Sequence, residues 1–423
     1  MGSGSLTSRT VLLIGTADTK AQELLFIRDC IVAAGANALI MDVGILGTPF
    51  FSAEIPSSRV AAAAGSSLEA IASLRDENEA MITMAAGAVR IARELHATGT
   101  VHGVLAIGGT MGTDLALEVT AALPVGLPKL IVSTIAYSPL IPPERLAPGL
   151  MMVLWSGGGL YGLNSHCKAI LSEAAGAIIG ACRSVLSPAP VRPLIAVSSL
   201  GQSSLSYMVS LIPGLEARGF EPVVFHCIGM GGRALEWLAA EGRFVAVFDL
   251  ALQELANEAH GSVASSGAHH MEAAGALGIP QICAPGGTGM IDLQAWMPVP
   301  PRYAGRAYHA HNRLLSSVPM SRTERCTTAR LIADKLARSR GPTALLLPLK
   351  GLQAADRPGE WLYDPDGLAI FCDELRRNVP PSVELIELDC HINDPQFVMA
   401  ALAVFDRWAR QGRIPGRPGG PGS

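Results

Sequence analysis

Short runs of consecutive apolar residues recur along the chain, and stretches whose apolar positions repeat every three to four residues follow them. The runs read as buried strands and the stretches as amphipathic helices. In the first block, strands are expected at Thr10 to Ile14, Ala38 to Val43, Val104 to Ile107, Lys129 to Ser133 and the run "MMVLW", with helices at Lys20 to Ala34, Leu68 to His96 and Asn164 to Ile179. The segment "SPAPVRP" (Ser187 to Pro193) cannot continue a helix, because its prolines remove backbone donors. The rhythm then restarts. Strands are expected at Leu194 to Ser198, Pro222 to Phe225, Val245 to Phe248, Gln281 to Ala284, Ala344 to Leu347 and Val383 to Leu388, and a last helix at Pro395 to Ala409. Such alternation predicts an α/β chain of two Rossmann-like doubly wound parallel-sheet domains, residues 10–187 and 191–410. Residues 1–9 are expected to be flexible, and the Pro/Gly-rich residues 411–423 to form a disordered tail.

Composition refines this picture. The chain has 423 residues, enough for large cores, with 16% charged and 5% aromatic residues. So few charges fit tight α/β layers and a sizeable subunit interface. The net charge of −4 gives no general attraction to nucleic acid or to an anionic membrane. No uncharged apolar run is long enough to span a bilayer, and no secretory signal is visible. The eight cysteines are scattered without a CxxC pair, which points to reduced thiols and a cytoplasmic protein. Cys283, at a strand end, reads as a packed thiol rather than a nucleophile.

Polar clusters fall where strands end, which is where doubly wound sheets place their sites. "GTADTK" (Gly15 to Lys20) joins a strand to a helix; Asp18 suits an N-cap, while Lys20 is unexpected at a helix start, where a cation meets the positive end of the dipole. "GGTMGTD" (Gly108 to Asp114) does the same with three glycines and two threonines. Glycines let main-chain N–H groups approach an anion, so Thr16, Lys20, Gly108, Gly109, Thr110, Gly112 and Thr113 are candidates for one phosphate pocket, with Asp18 holding Mg²⁺ through water. A plain tight turn is the other reading. "WSGGGLYGLNSH" (Trp155 to His166) is either a cover over a ligand or a connector.

The second block holds seven of the ten histidines. His226 and Asp249 end strands, Glu254 begins a helix, and His311 and Arg322 lie in polar loops. As acid–base chemistry, His226 or His311 would activate water, Asp249 or Glu254 would orient it, and Arg322 with the Gly286–Gly287 backbone would hold an oxyanion. His269, His270, Asp292 and Asn312 are candidate substrate contacts. No spacing diagnostic of a metal site occurs, so no metal ligand is assigned. Asn393-Asp394-Pro395 is a helix-start signal.

The segments "GTADTKAQELLFIRD", "IGGTMGT", "FHCIGMGGRALEWL", "VPPRYAGRAYHAHN", "SRTERC" and "HINDPQFV" resemble, in order, an ATP-binding family that includes the N-terminal inhibitory domain of the tomato mosaic virus resistance protein and two-domain bacterial and fungal relatives. The resemblance runs from about Val11 to Trp408. It implies two Rossmann-like domains, a homodimer, and ATP against the loops Thr16–Lys20 and Gly108–Thr113. The chain departs from the family pattern at Ala21 and Gln22, and in the second domain at "GQSSLS", "ALQE", "AHHM" and "GMID", where Asp292 stands in place of Asn. These departures imply a different ligand in the second domain.

Two functions fit. One is a small-molecule enzyme, a hydrolase or lyase acting next to a carbonyl of an oxygenated metabolite. The other is a non-catalytic, ATP-dependent module that binds and inhibits a protein.

Overall fold

In the computed structural model, residues 9–47, 49–158, 162–184 and 190–414 are described. The chain divides into two compact units, 1–188 and 189–423.

The N-terminal unit runs β1 (Thr10–Gly15), α1 (Ala21–Ala33), β2 (Asn37–Asp42), α2 (Ser57–Ala63), α3 (Leu68–Ala72), α4 (Glu77–Ala97), β3 (Gly103–Gly108), α5 (Thr110–Ala121), β4 (Lys129–Ser133), β5 (Leu150–Leu154) and α6 (Ser165–Ser184). Its sheet is wholly parallel in the order β2-β1-β3-β4-β5. Helices cover both faces, so strand residues of either parity are apolar. Leu12, Ile14, Val104 and Ala106 enter one core, and Val11, Leu13, Leu105 and Ile107 the other. The chain reverses its winding between β1 and β3, and a crevice opens there beyond the carboxyl ends.

The C-terminal unit continues with β6 (Leu194–Ser199), α7 (Gln202–Ala217), β7 (Glu221–His226), α8 (Met230–Ala240), β8 (Ala246–Ala251), α9 (Gln253–Ala259), α10 (Ala273–Leu277), β9 (Gln281–Gly286), β10 (Met290–Gln294), β11 (His309–Ala310), β12 (Leu315–Pro319), α11 (Arg322–Ala337), β13 (Thr343–Pro348), α12 (Pro365–Asn378), β14 (Glu384–Leu388) and α13 (Pro395–Arg410). The main sheet is parallel in the order β14-β13-β9-β8-β6-β7. From its first strand, this repeats the winding of the N-terminal sheet with one further strand.

The architecture, parallel sheets flanked by helices, agrees with the sequence pattern, with two local differences. The helix expected over Leu68 to His96 is broken after Ala72. Asp76 caps the second piece, its Oδ1 accepting the N–H groups of Asn78 at 2.8 Å and Glu79 at 3.2 Å. The pattern also gave no sign of the antiparallel sheet β10-β12-β11. Residues 1–8, 415–423 and 159–161, on which the expected flexible start, disordered tail and centre of the Trp155–His166 loop fall, lie outside the described residues. Among the described residues no helix is long and apolar enough to cross a membrane.

Candidate functional site

In the N-terminal domain, the loops after β1 and β3 line one cavity of about 330 Å³ at the winding reversal. Thr16, Asp18, Lys20, Gly108, Gly109, Thr110 and Gly112 all face it. Opposite these polar loops, Val43, Ile45, Met81, Met84 and Leu115 form an apolar wall. Sequence reasoning missed this wall. The α4 part of it comes from the face that also buries Ala80 and Ala85.

Helix α5 opens into the cavity at Gly109 with no side-chain cap and no acidic residue in its first turn. Its first N–H groups have no partner within the helix. Helix α1 starts beside it, and Lys20 is its N-cap. Asp18, expected there, instead accepts the Leu46 N–H at 2.7 Å through Oδ2, and its Oδ1 is buried with no partner among the described residues. Lys20 is only 9% exposed. Its Nζ reaches one group, the Thr19 hydroxyl at 3.4 Å, and makes no ion pair among the described residues. Burial pushes its pKa below the ordinary lysine value, against the longer-range pull of Glu23 and Asp18. Buried Asp42 ties the loop after β1 to the loop after β2: its Oδ1 accepts Ala17 N–H at 2.8 Å and Gly44 N–H at 2.9 Å.

Thr113 is corrected. It is fully buried and its hydroxyl pairs with Ser133 Oγ at 2.6 Å, so it braces α5 against β4 from below the cavity. Gly108 proves to be a packing glycine, since a Cβ there would lie 2.6 Å from the Gly112 carbonyl carbon and 2.8 Å from Thr113 N. At Gly109 the nearest atom would be 3.8 Å away. Gly108→Ala is therefore expected to cost the N-terminal domain about 1–3 kcal/mol in urea unfolding, and Gly109→Ala to stay within roughly 1 kcal/mol of the parent.

In the C-terminal domain, the expected acid–base groups are partly assembled, but around His270 rather than His226 or His311. His270 is fully buried, with Nε2 3.1 Å from Asp249 Oδ2. Its Nδ1 lies 3.1 Å from Glu254 Oε2 and 2.5 Å from Ser266 Oγ. Burial alone would depress the imidazole pKa, but Asp249 and Glu254 outweigh it and hold it well above the ordinary value. Glu254 Oε1 accepts the N–H groups of Gly229 and, at 3.3 Å, Gly232. The protein's own carboxylate thus fills the start of α8. Gly232 serves that approach, since a Cβ there would sit 1.7 Å from Glu254 Oε2, while Gly231 lets the helix start pack against β7, a Cβ there lying 1.9 Å from the His226 carbonyl oxygen.

The remaining catalytic assignments are corrected. His226 is exposed at the end of edge strand β7, His311 is exposed where β11 turns toward β12, and Arg322 is exposed in the first turn of α11. Among the described residues no hydrogen bond or ion pair joins these three to one another or to His270. Gly287 N–H already donates to Leu352 O at 3.0 Å, and the close approach of Leu250 O explains Gly286, where a Cβ would be 2.2 Å away. The pair therefore forms no oxyanion hole. Asp292 is a buried latch, accepting from Asn257 Nδ2 at 2.9 Å, Gln253 Nε2 at 3.2 Å and Ser317 Oγ at 2.6 Å. Asn312 caps its own turn through Leu314 and Leu315 N–H. Exposed His269 pairs with Glu272, at 2.8 Å, and with no other side chain among the described residues. Cys283 is fully buried, and burial raises its thiol pKa well above the ordinary value. Ser321 and Glu324 form a capping box at the start of α11; the S-x-x-E spacing in "SRTER" carries that signal.

The sequence is similar over nearly its whole length to a UPF0261 protein of Brucella suis biovar 1, at 50% identity over 96% of this chain and 97% of that one. A UPF0261 protein of Clostridium tetani is 32% identical over 93% of this chain and 97% of its own. The ToMV resistance protein Tm-1(GCR237) of Solanum lycopersicum is 26% identical, covering 96% of this chain and 56% of the tomato protein. Among solved structures, the glycosyltransferase SsfS6 of Streptomyces sp. SF2575 matches 66% of this chain and 82% of its own at 17% identity and a TM-score of 0.21, too low to bear on function. Residues 9–187 match the model of the "Uncharacterised protein family (UPF0261) N-terminal domain" and residues 192–409 that of the corresponding C-terminal domain. The chain therefore belongs to the UPF0261 family.

Proposed function

We propose that the N-terminal domain is a nucleotide-binding unit whose ligand is ATP, with its phosphates held between the loops Thr16–Lys20 and Gly108–Gly112. The observation that carries this reading is Lys20. A buried ammonium beside two helix starts and without an ion-pair partner is unfavourable until an anion arrives. A phosphate chain supplies that anion, and the uncapped α5 N–H groups supply further donors. The apolar wall of Val43, Met81, Met84 and Leu115 offers a surface to a purine ring. Among the described residues no group of three or more His, Cys, Asp or Glu side chains is arranged to hold a metal ion directly. A Mg²⁺ arriving with ATP would therefore be held through phosphate and water, with the unpaired Asp18 Oδ1 as an outer acceptor.

The enzyme reading has less support: His226, His311 and Arg322 are exposed on β7, beside β11 and on α11, and His270, which does meet Asp249 and Glu254, is fully buried. ATP binding by itself also suits the protein-binding alternative.

Calorimetric titration tests the proposal. ATP is expected to bind one per chain, inorganic tripolyphosphate to compete for the same site, and adenosine alone to bind at least roughly tenfold more weakly, since it lacks the charge-assisted contacts. Absence of saturable ATP binding would refute it.

A further inference from the structure

We propose that the C-terminal domain carries a separate pocket for a small hydroxylated carboxylate. The pocket encloses about 360 Å³ beyond the carboxyl ends of β13 and β14, between the loops that follow them and the start of α11. It lies away from the β6/β8 winding reversal and does not depend on the nucleotide site.

Two buried side chains carry the inference. Gln353 lines the pocket and is 1% exposed, yet neither Oε1 nor Nε2 has a hydrogen-bond partner among the described residues. Arg325 lines it too, is 4% exposed, and has one ion pair, Nη2 to Asp364 Oδ2 at 3.3 Å, leaving Nε unpartnered. Buried polar groups in this state are costly unless something pairs with them. They also converge. A Cβ built on Gly289 would lie 3.2 Å from Gln353 Nε2 and 3.9 and 4.0 Å from Arg325 Nη1 and Nη2. The missing side chain at Gly289 keeps open a small volume faced by an amide donor and a guanidinium fork.

Several other polar groups of the pocket are already engaged. His391 Nε2 donates to Asp356 Oδ1 at 2.9 Å and to the Gln353 carbonyl at 3.0 Å, while Nδ1 accepts the Asn393 N–H at 3.0 Å. Asp394 accepts from Arg357 and from the His391 N–H. Gln353 Nε2 and the Arg325 fork offer a pair of donors for an oxyanion, and Gln353 Oε1 offers an acceptor for a hydroxyl. A carboxylate bearing a neighbouring hydroxyl meets both needs, with bidentate contact to the arginine. A phosphate dianion suits the pocket less well, because Asp356, Asp364 and Asp394 offset the charge of Arg325, Lys350 and Arg357.

The test uses the full chain with D-glycerate and D-gluconate as probes and glycerol and inorganic phosphate as comparators, followed by calorimetry and thermal unfolding. At least one hydroxy acid is expected to saturate below about 10 mM, with both comparators at least roughly tenfold weaker. Gln353→Leu is expected to weaken that binding tenfold or more while raising the C-terminal melting temperature by roughly 2–4 °C, since it removes an unpaired buried amide. Gly289→Ala, which places a methyl in the convergence volume, should weaken binding with folding retained. The proposal is overturned if neither hydroxy acid saturates, if phosphate binds more tightly than both, or if Gln353→Leu lowers the melting temperature and leaves affinity unchanged. In that last case Gln353 would be a structural residue.

Discussion

Replacing His270 with leucine is expected to lower the unfolding free energy of the C-terminal domain by about 3–5 kcal/mol, because it strands Asp249 and Glu254 in the core without their shared cation. Asp249 and Glu254 are 2% and 0% exposed, so water cannot take over the pairing. Urea unfolding at neutral pH measures the loss. The pH dependence separates this ionic role from simple packing. His270 has a raised pKa in the folded chain. Its stabilisation is therefore complete below the unfolded histidine value of about 6.5 and disappears as pH rises through the folded value. The parent domain should lose stability above neutral pH, and that component of the slope should vanish in His270→Leu. If the variant unfolds with the parent's pH slope and at the parent's urea midpoint, the imidazole is not a cation bridging two carboxylates.

Lys20→Met is expected to weaken ATP binding by roughly 10- to 100-fold, the worth of a charge-assisted contact in a buried setting. The unliganded domain should unfold at the same urea concentration or slightly later, because the substitution removes a buried ammonium without an ion-pair partner. Proton linkage adds an independent signature. Burial lowers the Lys20 pKa in the free protein, and a bound phosphate chain would raise it again. Affinity should be greatest below the free-state value and decline as pH rises through it, with proton uptake on binding in that range. Lys20→Met should flatten this dependence. Equal affinities in parent and variant would remove Lys20 from the site.

Alternating apolar runs and amphipathic stretches made the parallel strands and most helices readable. Both parities of "VLLI" and "VLAI" had to be apolar once helices lay on both faces. The β10-β12-β11 sheet was not readable, since its strands are short and carry buried polar residues, Asp292, Ser316 and Ser317, that bond within the sheet instead of facing solvent. The loops after β1 and β3 were recognisable because lysine at a helix start and three clustered glycines are costly without a purpose. The acid–base residues were harder. Asp249 and Glu254 were identifiable at a strand end and a helix start, but their partner was chosen by residue type, and His226 and His311 are equally good by that measure. Only tertiary structure shows that His270 points inward, and that Glu254, not a ligand, occupies the start of α8. Gln353 and Arg325 gave no signal, because an orphaned amide is visible only once the groups around it are placed.

Amide hydrogen exchange with and without ATP addresses the central claim most directly, because it locates the ligand by backbone segment. The account predicts that ATP slows exchange at residues 16–23 and 109–113, and that Lys20→Met abolishes the effect at the same ATP concentration. Protection confined to the C-terminal domain, or none at either loop with ATP bound, would contradict it.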